Sequence, residues 1–300
     1  MTIQRRGNPK VPDANGIEKK IKRGNALRQA SAWRVSRGSL LLVVVAMAVV
    51  GTLTWLYLAS GDPYTTETLV RQAEVVAQTR VYTVDCSEDY ENYKRYPGCT
   101  PQTCGRAVTD NSVTREEAMA LRRLAERGLA LAGSDGGASI LDLHSGALSM
   151  GKQFVNIYRE VRGRIQAVIA ETFDLDPSLL YLTKPTFFSR INSTLAKTQH
   201  DEYWHPHIDK VTYGSFDYTS LLYLSDYGTD FTGGRFIFMD SNGNRTVEPR
   251  AGRVSFFSSG SENLHRVEQV SWGTRYAITV SFTCDPAHAI SDPAMPITSV

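Results

Sequence analysis

Cysteine is scarce in this 300-residue chain, and none of its four cysteines forms the Cys-x-x-Cys pair that is typical of zinc sites. All four, at Cys86, Cys99, Cys104 and Cys284, follow a long apolar stretch. An even number favours two disulfides, for which three pairings exist, and the sequence does not distinguish them. A Cys86–Cys99 pair, for example, would close a short loop.

Acidic residues are nearly absent from residues 1–38, which contain ten Lys or Arg and two acids. The remaining 262 residues carry a net charge of −6, so the basic character belongs to the tail. A nucleic-acid-binding main domain is therefore not expected. No internal repeat or long low-complexity run is present.

Charged residues are entirely absent from residues 39–59, a stretch of 21 residues. A helix of that length spans a hydrocarbon core of roughly 30 Å. A cleaved signal peptide is the alternative, but its apolar core would be shorter, and Tyr57 occupies the place of a small residue before Ala59. With basic residues on the N-terminal side, we expect a single-pass type II membrane protein of the secretory membranes. The expected segments are a cytoplasmic tail (1–38), a signal anchor (39–59) and a lumenal stalk (60–110).

The folded part should occupy residues 111–290, with a tail over 291–300. Helical spacing predicts helices over about 113–131 and 152–173, the first opened by a capping box at Thr114–Glu117. Short β-rich runs then follow one another: Tyr181–Ile191, Phe216–Leu224, Arg235–Met239, Thr246–Val247, Arg253–Ser258, Leu264–Val270 and Arg275–Thr283. This order predicts an α+β fold, a double-stranded β-helix (jelly roll) buttressed by helices. Asn192 and Asn244 begin glycosylation sequons, which support a lumenal location weakly.

His207-Ile-Asp209, the later His265 and then Arg275 form the most informative pattern. Two imidazoles and one carboxylate can bind one face of a ferrous ion and leave the opposite positions open. Arg275, ten residues after His265, could hold the far carboxylate of a chelating co-substrate. Tyr223 could project into the same pocket, although core packing is nearly as plausible for it. An isolated His-x-Asp is weak evidence, so the prediction depends on His265 and Arg275.

The other histidines lack this pattern. His205 lies two residues before His207 but has no aspartate two residues after it, so we expect it at the rim of the site. Trp204 and Lys210 are expected at the rim as well. His144, His200 and His288 have no such partner and are expected to be ordinary.

Several motifs together resemble the prolyl-hydroxylase-like iron- and 2-oxoglutarate-dependent oxygenases: His207-Ile-Asp, Leu221-Leu-Tyr-Leu-Ser, Gly233-Gly-Arg-Phe, Gly252-Arg-Val-Ser-Phe-Phe, Leu264-His-Arg-Val and Arg275-Tyr-Ala-Ile-Thr-Val. The resemblance implies a membrane-anchored dioxygenase that uses Fe(2+), O2 and 2-oxoglutarate, needs L-ascorbate, and hydroxylates a protein side chain with release of succinate and CO2. It also implies a longer helical stretch in the family than this chain has near Tyr158.

Two other functions fit the same fold. The chain could be a catalytically silent jelly-roll binding module of the secretory lumen, or a metal-binding jelly roll of another reaction type. The intact His/Asp/His set argues against the first, and Arg275 argues against the second. The hydroxylated substrate and the organelle are not determined by the sequence.

Overall fold

The structure is a computed structural model that describes residues 37–59, 66–91, 94–132, 137–146, 150–197 and 202–294. It consists of two units, residues 1–61 and 62–300. Residues 1–36 of the predicted basic tail (1–38) lie outside the described residues. Residues 295–300 of the predicted C-terminal tail (291–300) lie outside them as well.

Among the described residues the first unit contains one helix, α1 (Arg37–Ala59), whose sequence is rich in Leu, Val and Ala and free of proline. Side chains 38–54 of this helix are exposed, and those of 55–59 lie outside the described part. Within the described part of the chain, no helix reaches the length and apolarity of a membrane span.

The second unit is built on a large, mostly antiparallel sheet. Its strand order is β2-β3-β10-β6-β12-β5-β4, with β7 paired to one end of β12. The bounds are β2 Arg80–Val84, β3 Cys104–Thr109, β4 Ala138–Asp142, β5 Tyr181–Asn192, β6 Tyr218–Tyr223, β7 Phe231–Gly233, β10 Val254–Ser258 and β12 Val270–Thr283.

A smaller sheet faces the large one. Its order is β1-β9-β8-β11, with bounds β1 Thr66–Val70, β9 Gly243–Val247, β8 Phe236–Asp240 and β11 His265–Val267. Apolar side chains from both sheets, among them Leu221, Phe236, Phe257 and Ala277, form one cluster between them. Two facing sheets around such a cluster are the arrangement of a jelly roll, as predicted.

Two helices, α2 (Arg115–Ala132) and α3 (Lys152–Thr172), pack on the other face of the large sheet. The predicted capping box is confirmed, because the Glu117 N–H donates to Thr114 Oγ1 at 3.2 Å and the Thr114 N–H donates to Glu117 Oε2 at 2.9 Å. Helix α3 runs unbroken through Tyr158, which is buried and stacks on Phe154 with 5.7 Å between ring centroids. Helix α3 is therefore continuous at the position where the resemblance implies a longer helical stretch.

The prediction of a separate stalk over residues 60–110 needs correction. Strand β1 pairs in parallel with β9, and β2 and β3 extend the large sheet beyond β10. Residues 66–109 thus belong to the same folded unit as the later strands. Their pairing partners lie far away in sequence, which is why no local pattern indicates them.

All four cysteines are paired, Cys86 with Cys104 and Cys99 with Cys284. The short Cys86–Cys99 loop considered above is therefore not formed. The second disulfide connects positions 185 residues apart, and so joins the segment before β3 to the residue that follows β12. The two disulfides act on different parts of the fold.

Candidate metal and co-substrate site

His207 and His265 are brought together by the backbone itself. The His207 N–H donates to the His265 carbonyl at 2.9 Å, and the His265 N–H donates to the His207 carbonyl at 3.1 Å. His265 begins β11, while Asp209 begins a short helix, α4 (Asp209–Tyr213). An antiparallel bridge at the entrance to a helix therefore places the three side chains at one end of the sheets.

The three side chains converge on one point. His207 Nε2 lies 3.6 Å and His265 Nε2 lies 3.8 Å from Asp209 Oδ1. One ligand atom from each residue lies within 4.8 Å of the others, and this is the one such group of His, Cys, Asp or Glu among the described residues. Spacing of this kind suits a single divalent ion bound by two nitrogens and one oxygen.

Both imidazoles are oriented by backbone carbonyls. His207 Nδ1 lies 3.1 Å from the His205 carbonyl, and His265 Nδ1 lies 2.8 Å from the Asn263 carbonyl. A carbonyl only accepts, so each Nδ1 carries the proton and each Nε2 keeps its lone pair for a metal. Burial lowers the pKa of His265 to about 4, so this ring is neutral at physiological pH.

Asp209 is buried and held through its second oxygen. Thr219 Oγ1 donates to Asp209 Oδ2 at 2.6 Å, and the same hydroxyl lies 2.9 Å from Ser259 Oγ. These contacts leave Oδ1 facing the two histidines. Thr219 and Ser259 belong to no motif of the sequence, so the sequence alone does not indicate their role.

A cavity of about 240 Å³ opens beside the three residues, between the two sheets. Its walls are mostly apolar and include Ile191, Tyr203, Tyr213, Phe216, Leu221, Phe236 and Val267. His207, Asp209, His265 and Arg275 all line it. The cavity therefore offers a metal face and a cation within one apolar enclosure.

Arg275 is the cation of this cavity and is 1% exposed. Along β12 it shares a face with Ala277 and Thr279, which directs it between the sheets. Its Nε donates to the Gly234 carbonyl at 2.9 Å, whereas its Nη2 has no hydrogen-bond partner among the described residues. Burial lowers the pKa of this guanidinium, yet an arginine stays charged. A buried cation with an open donor implies an anionic ligand.

Tyr223 lies beneath this cation, with the guanidinium carbon 5.6 Å from its ring centroid. Its hydroxyl lies 2.8 Å from Ser255 Oγ, and its ring belongs to the cluster between the sheets. The structure thus places Tyr223 as a support for Arg275, and a direct contact with a co-substrate stays a prediction.

The neighbouring candidates occupy different positions. His205 is exposed and lies 2.7 Å from Glu202 Oε2, while its carbonyl orients His207. Lys210 is not a rim residue, because it is buried and its ammonium lies 2.9 Å from Asp217 Oδ1. His144 and His288 lie away from the cavity walls, and His200 lies outside the described residues.

The two sequons lie at strand positions. Asn192 ends β5 and is followed by exposed Ser193 and Thr194, and Asn244 pairs with Thr66 and Met239 inside the small sheet. Their glycosylation stays a prediction.

Residues 193–283 match the model of the 2OG-Fe(II) oxygenase superfamily. The chain is 55% identical to the 2-oxoglutarate and iron-dependent oxygenase domain-containing protein 3 of Mus musculus, over 98% of this chain and 100% of that protein. It is 61% identical to the protein of the same name from Xenopus tropicalis, over 88% of this chain and 90% of that protein. A partial match, 31% identical over 47% of this chain and 21% of the relative, is to prolyl 3-hydroxylase 1 of Rattus norvegicus.

The alignment with the mouse protein covers 317 positions, more than the 300 residues of this chain, so that relative has positions without a counterpart here. The extent and identity of these matches agree with the geometry of the site. The chain belongs to the 2OG-Fe(II) oxygenase superfamily, in the family of 2-oxoglutarate and iron-dependent oxygenase domain-containing protein 3.

Proposed function

We propose that this chain is a membrane-anchored Fe(II)- and 2-oxoglutarate-dependent dioxygenase that hydroxylates a protein side chain. In the overall reaction, 2-oxoglutarate, O2 and a substrate C–H group give succinate, CO2 and the hydroxylated side chain. The observation that carries the proposal is the buried Arg275, with an open donor, in the cavity that also contains His207, Asp209 and His265.

His207, Asp209 and His265 would hold the iron. The donor set fits ferrous iron, because two neutral imidazoles and one carboxylate leave open positions on the cavity side. Bound iron would supply the redox chemistry with O2, and the protein would supply orientation and a dry enclosure. The Nδ1 contacts to the carbonyls of His205 and Asn263 fix which nitrogens face the ion.

Arg275 would bind the distal carboxylate of 2-oxoglutarate. Its open Nη2 and planar fork suit a charge-assisted contact with a carboxylate in an apolar wall. The other end of 2-oxoglutarate, the 2-oxo acid, is then free to face the three metal ligands. L-Ascorbate would serve to keep the iron reduced.

A protein substrate with a prolyl or similar side chain is supported by the partial match to prolyl 3-hydroxylase 1. The mostly apolar cavity also suits an uncharged side chain better than a charged one. Membrane anchoring with a lumenal catalytic domain is supported by the uncharged residues 39–59, by their basic N-terminal flank and by two disulfides in the folded unit.

The test uses the full chain in detergent micelles with Fe(2+), ascorbate and 2-oxoglutarate. We expect succinate to form, and Mn(2+)-dependent binding of 2-oxoglutarate to be measurable by calorimetry even without the protein substrate. His207→Ala should abolish both signals, and Arg95→Ala, at a surface arginine whose side chain is 60% exposed, should change neither.

A chain that binds neither Mn(2+) nor 2-oxoglutarate would instead favour the catalytically silent binding module. Hydroxylation is then checked by mass spectrometry of proline-containing lumenal peptides, in which the product gains one oxygen atom.

A further inference from the structure

The turn that precedes His265 is held by hydrogen bonds from residues outside the site. Residues Ser258–Asn263, here called the ligand turn, join β10 to β11. The Asn263 carbonyl accepts from His265 Nδ1 at 2.8 Å, and Ser259 Oγ lies 2.9 Å from the threonine hydroxyl that donates to Asp209. A shift of the ligand turn would therefore move both His265 and Asp209.

Glu262 is the centre of these contacts. Its Oε1 accepts from Tyr90 Oη at 3.0 Å and from Ser258 Oγ at 2.6 Å. Its Oε2 accepts from Ser87 Oγ at 2.6 Å and from the Ser87 N–H at 3.3 Å. A single carboxylate thus joins the ligand turn to the segment Ser87–Tyr90, which lies 172 residues or more from Glu262 in sequence.

The backbone of the turn adds further contacts to the same segment. The Gly260 N–H donates to Tyr90 Oη at 2.8 Å, and the Ser261 N–H donates to Asp89 Oδ2 at 2.5 Å. A Cβ on Gly260 would lie 2.3 Å from Glu262 Oε2 and 2.6 Å from Ser87 Oγ. A side chain at this position would therefore displace the Glu262 carboxylate or the Ser87 hydroxyl.

The Cys86–Cys104 disulfide holds both sides of this arrangement. Cys86 immediately precedes Ser87, and Cys104 immediately precedes Gly105, whose carbonyl accepts from Asn263 Nδ2 at 3.2 Å. The disulfide therefore connects the two chain segments that contact the ligand turn from either side.

We propose that Glu262 is a positioning residue for the metal ligand His265, and that the Cys86–Cys104 disulfide keeps the partners of Glu262 in place. The proposal rests on the proposed function, since it requires a metal ion at His207, Asp209 and His265. Groups that orient metal ligands typically change metal affinity by about 10–100-fold when they are removed.

The test is a titration of the folded, metal-free full chain with Co(2+), followed by its visible absorption. Glu262→Gln keeps the size of the side chain but replaces one acceptor oxygen with an NH2 group that cannot accept from Ser87. We expect the Co(2+) dissociation constant to rise by about tenfold or more. Glu91→Gln is the matched control, because that carboxylate lies in the short helix that contains Tyr90 (Glu88–Glu91), is 68% exposed and pairs only with Arg95 among the described residues.

Two further variants approach the turn from other directions. Gly260→Ala should push Glu262 and Ser87 apart and raise the Co(2+) dissociation constant without altering a charge. Replacement of both Cys86 and Cys104 by serine should raise it as well. In the Glu262→Gln background, the double replacement should raise the Co(2+) dissociation constant by a smaller factor than it does in the unaltered chain, because both changes act on the same turn. If Glu262→Gln does not fold, Ser87→Ala takes its place in the test, because this variant removes one donor to the same carboxylate.

The outcomes separate the two proposals. If His207→Ala abolishes Co(2+) binding while Glu262→Gln and Gly260→Ala stay within twofold of the unaltered chain, the positioning role is refuted and the metal site stands. If the unaltered chain and His207→Ala bind Co(2+) equally, the metal site and the positioning role are both refuted. A loss of thermal stability in Glu262→Gln with unchanged Co(2+) affinity would show a merely structural role and also refute the proposal.

Discussion

Arg253 and Arg275 are both almost fully buried, yet their surroundings differ in kind. Arg253, 0% exposed, forms a two-point ion pair with Asp110 and donates to the carbonyls of Arg71, Glu74 and Glu248. Arg275 has one carbonyl partner and no acid in hydrogen-bond contact among the described residues. Arg253 is part of a paired structural network. Arg275 has a donor, Nη2, that is not used by any described residue and could bind an anion.

This contrast predicts opposite effects of the same substitution. Arg253→Met leaves Asp110 buried without its partner and should cost about 3–5 kcal/mol of stability. Arg275→Met removes an uncompensated charge at the loss of one hydrogen bond, so the ligand-free protein should keep its melting temperature. With Mn(2+) present, 2-oxoglutarate at 100 times its Kd should stabilise the unaltered chain by about 2.7 kcal/mol and Arg275→Met not at all. Calorimetric melting would contradict the assignment if 2-oxoglutarate stabilised both chains equally.

Thr219 offers a second test at the residue scale. Its hydroxyl bridges Asp209 and Ser259, and valine has nearly the same shape but no hydroxyl. We expect Thr219→Val to fold normally and to weaken Mn(2+) binding by about tenfold, because the carboxylate loses the contact that fixes it. Thr232→Val, at a half-buried threonine that contacts Ser271, is the control and should leave Mn(2+) binding unchanged.

At the scale of elements, the sequence predicted those strands that carry their own signal. Strands β5, β6, β10 and β12 are runs of apolar and β-branched residues, and the structure has them within a few residues of the predicted bounds. Strands β1 and β2 are short, with few fully buried side chains, and are defined by pairing with distant partners. Local patterning cannot reveal such strands.

The site shows the same division. His207, Asp209, His265 and Arg275 were predicted because metal and carboxylate chemistry restricts residue type and spacing. The groups that orient them are backbone carbonyls and ordinary hydroxyls, which any loop could supply. Their roles depend on the bridge between His207 and His265 and on the ligand turn, and these exist only in the folded chain.

The two disulfides should differ in what they stabilise. In the chain-entropy picture, a bridge that closes 185 residues is worth about 5 kcal/mol, and one that closes 18 residues about 3 kcal/mol. Serine at Cys99 and Cys284 should therefore lower the melting temperature more than serine at Cys86 and Cys104. The order should reverse for Co(2+) affinity, since Cys86 and Cys104 each precede a residue that contacts the ligand turn, Ser87 and Gly105. Equal effects of both replacements on Co(2+) affinity would contradict this assignment.

At the scale of the whole molecule, the site depends on both sheets. The small sheet contributes His265 at its β11 edge, and the large sheet contributes Arg275 from β12. Residues before 110 complete both sheets and provide three of the four cysteines. A shortened chain that begins at residue 111, at the boundary expected from the sequence, would lack β1 to β3 and should not fold.

The orientation in the membrane gives the last prediction. Ten basic residues before residue 39 should keep the N terminus on the cytoplasmic side, and we expect the folded unit to enter an oxidising lumen where its disulfides would form. In sealed microsomes, protease should therefore remove an N-terminal tag and leave the folded unit intact until detergent is added. A glycosidase should increase the gel mobility of the chain, and replacement of Asn192 and Asn244 by glutamine should abolish that change. Protection of the N-terminal tag together with digestion of the folded unit would establish the opposite orientation, in which an extracytoplasmic dioxygenase is not possible.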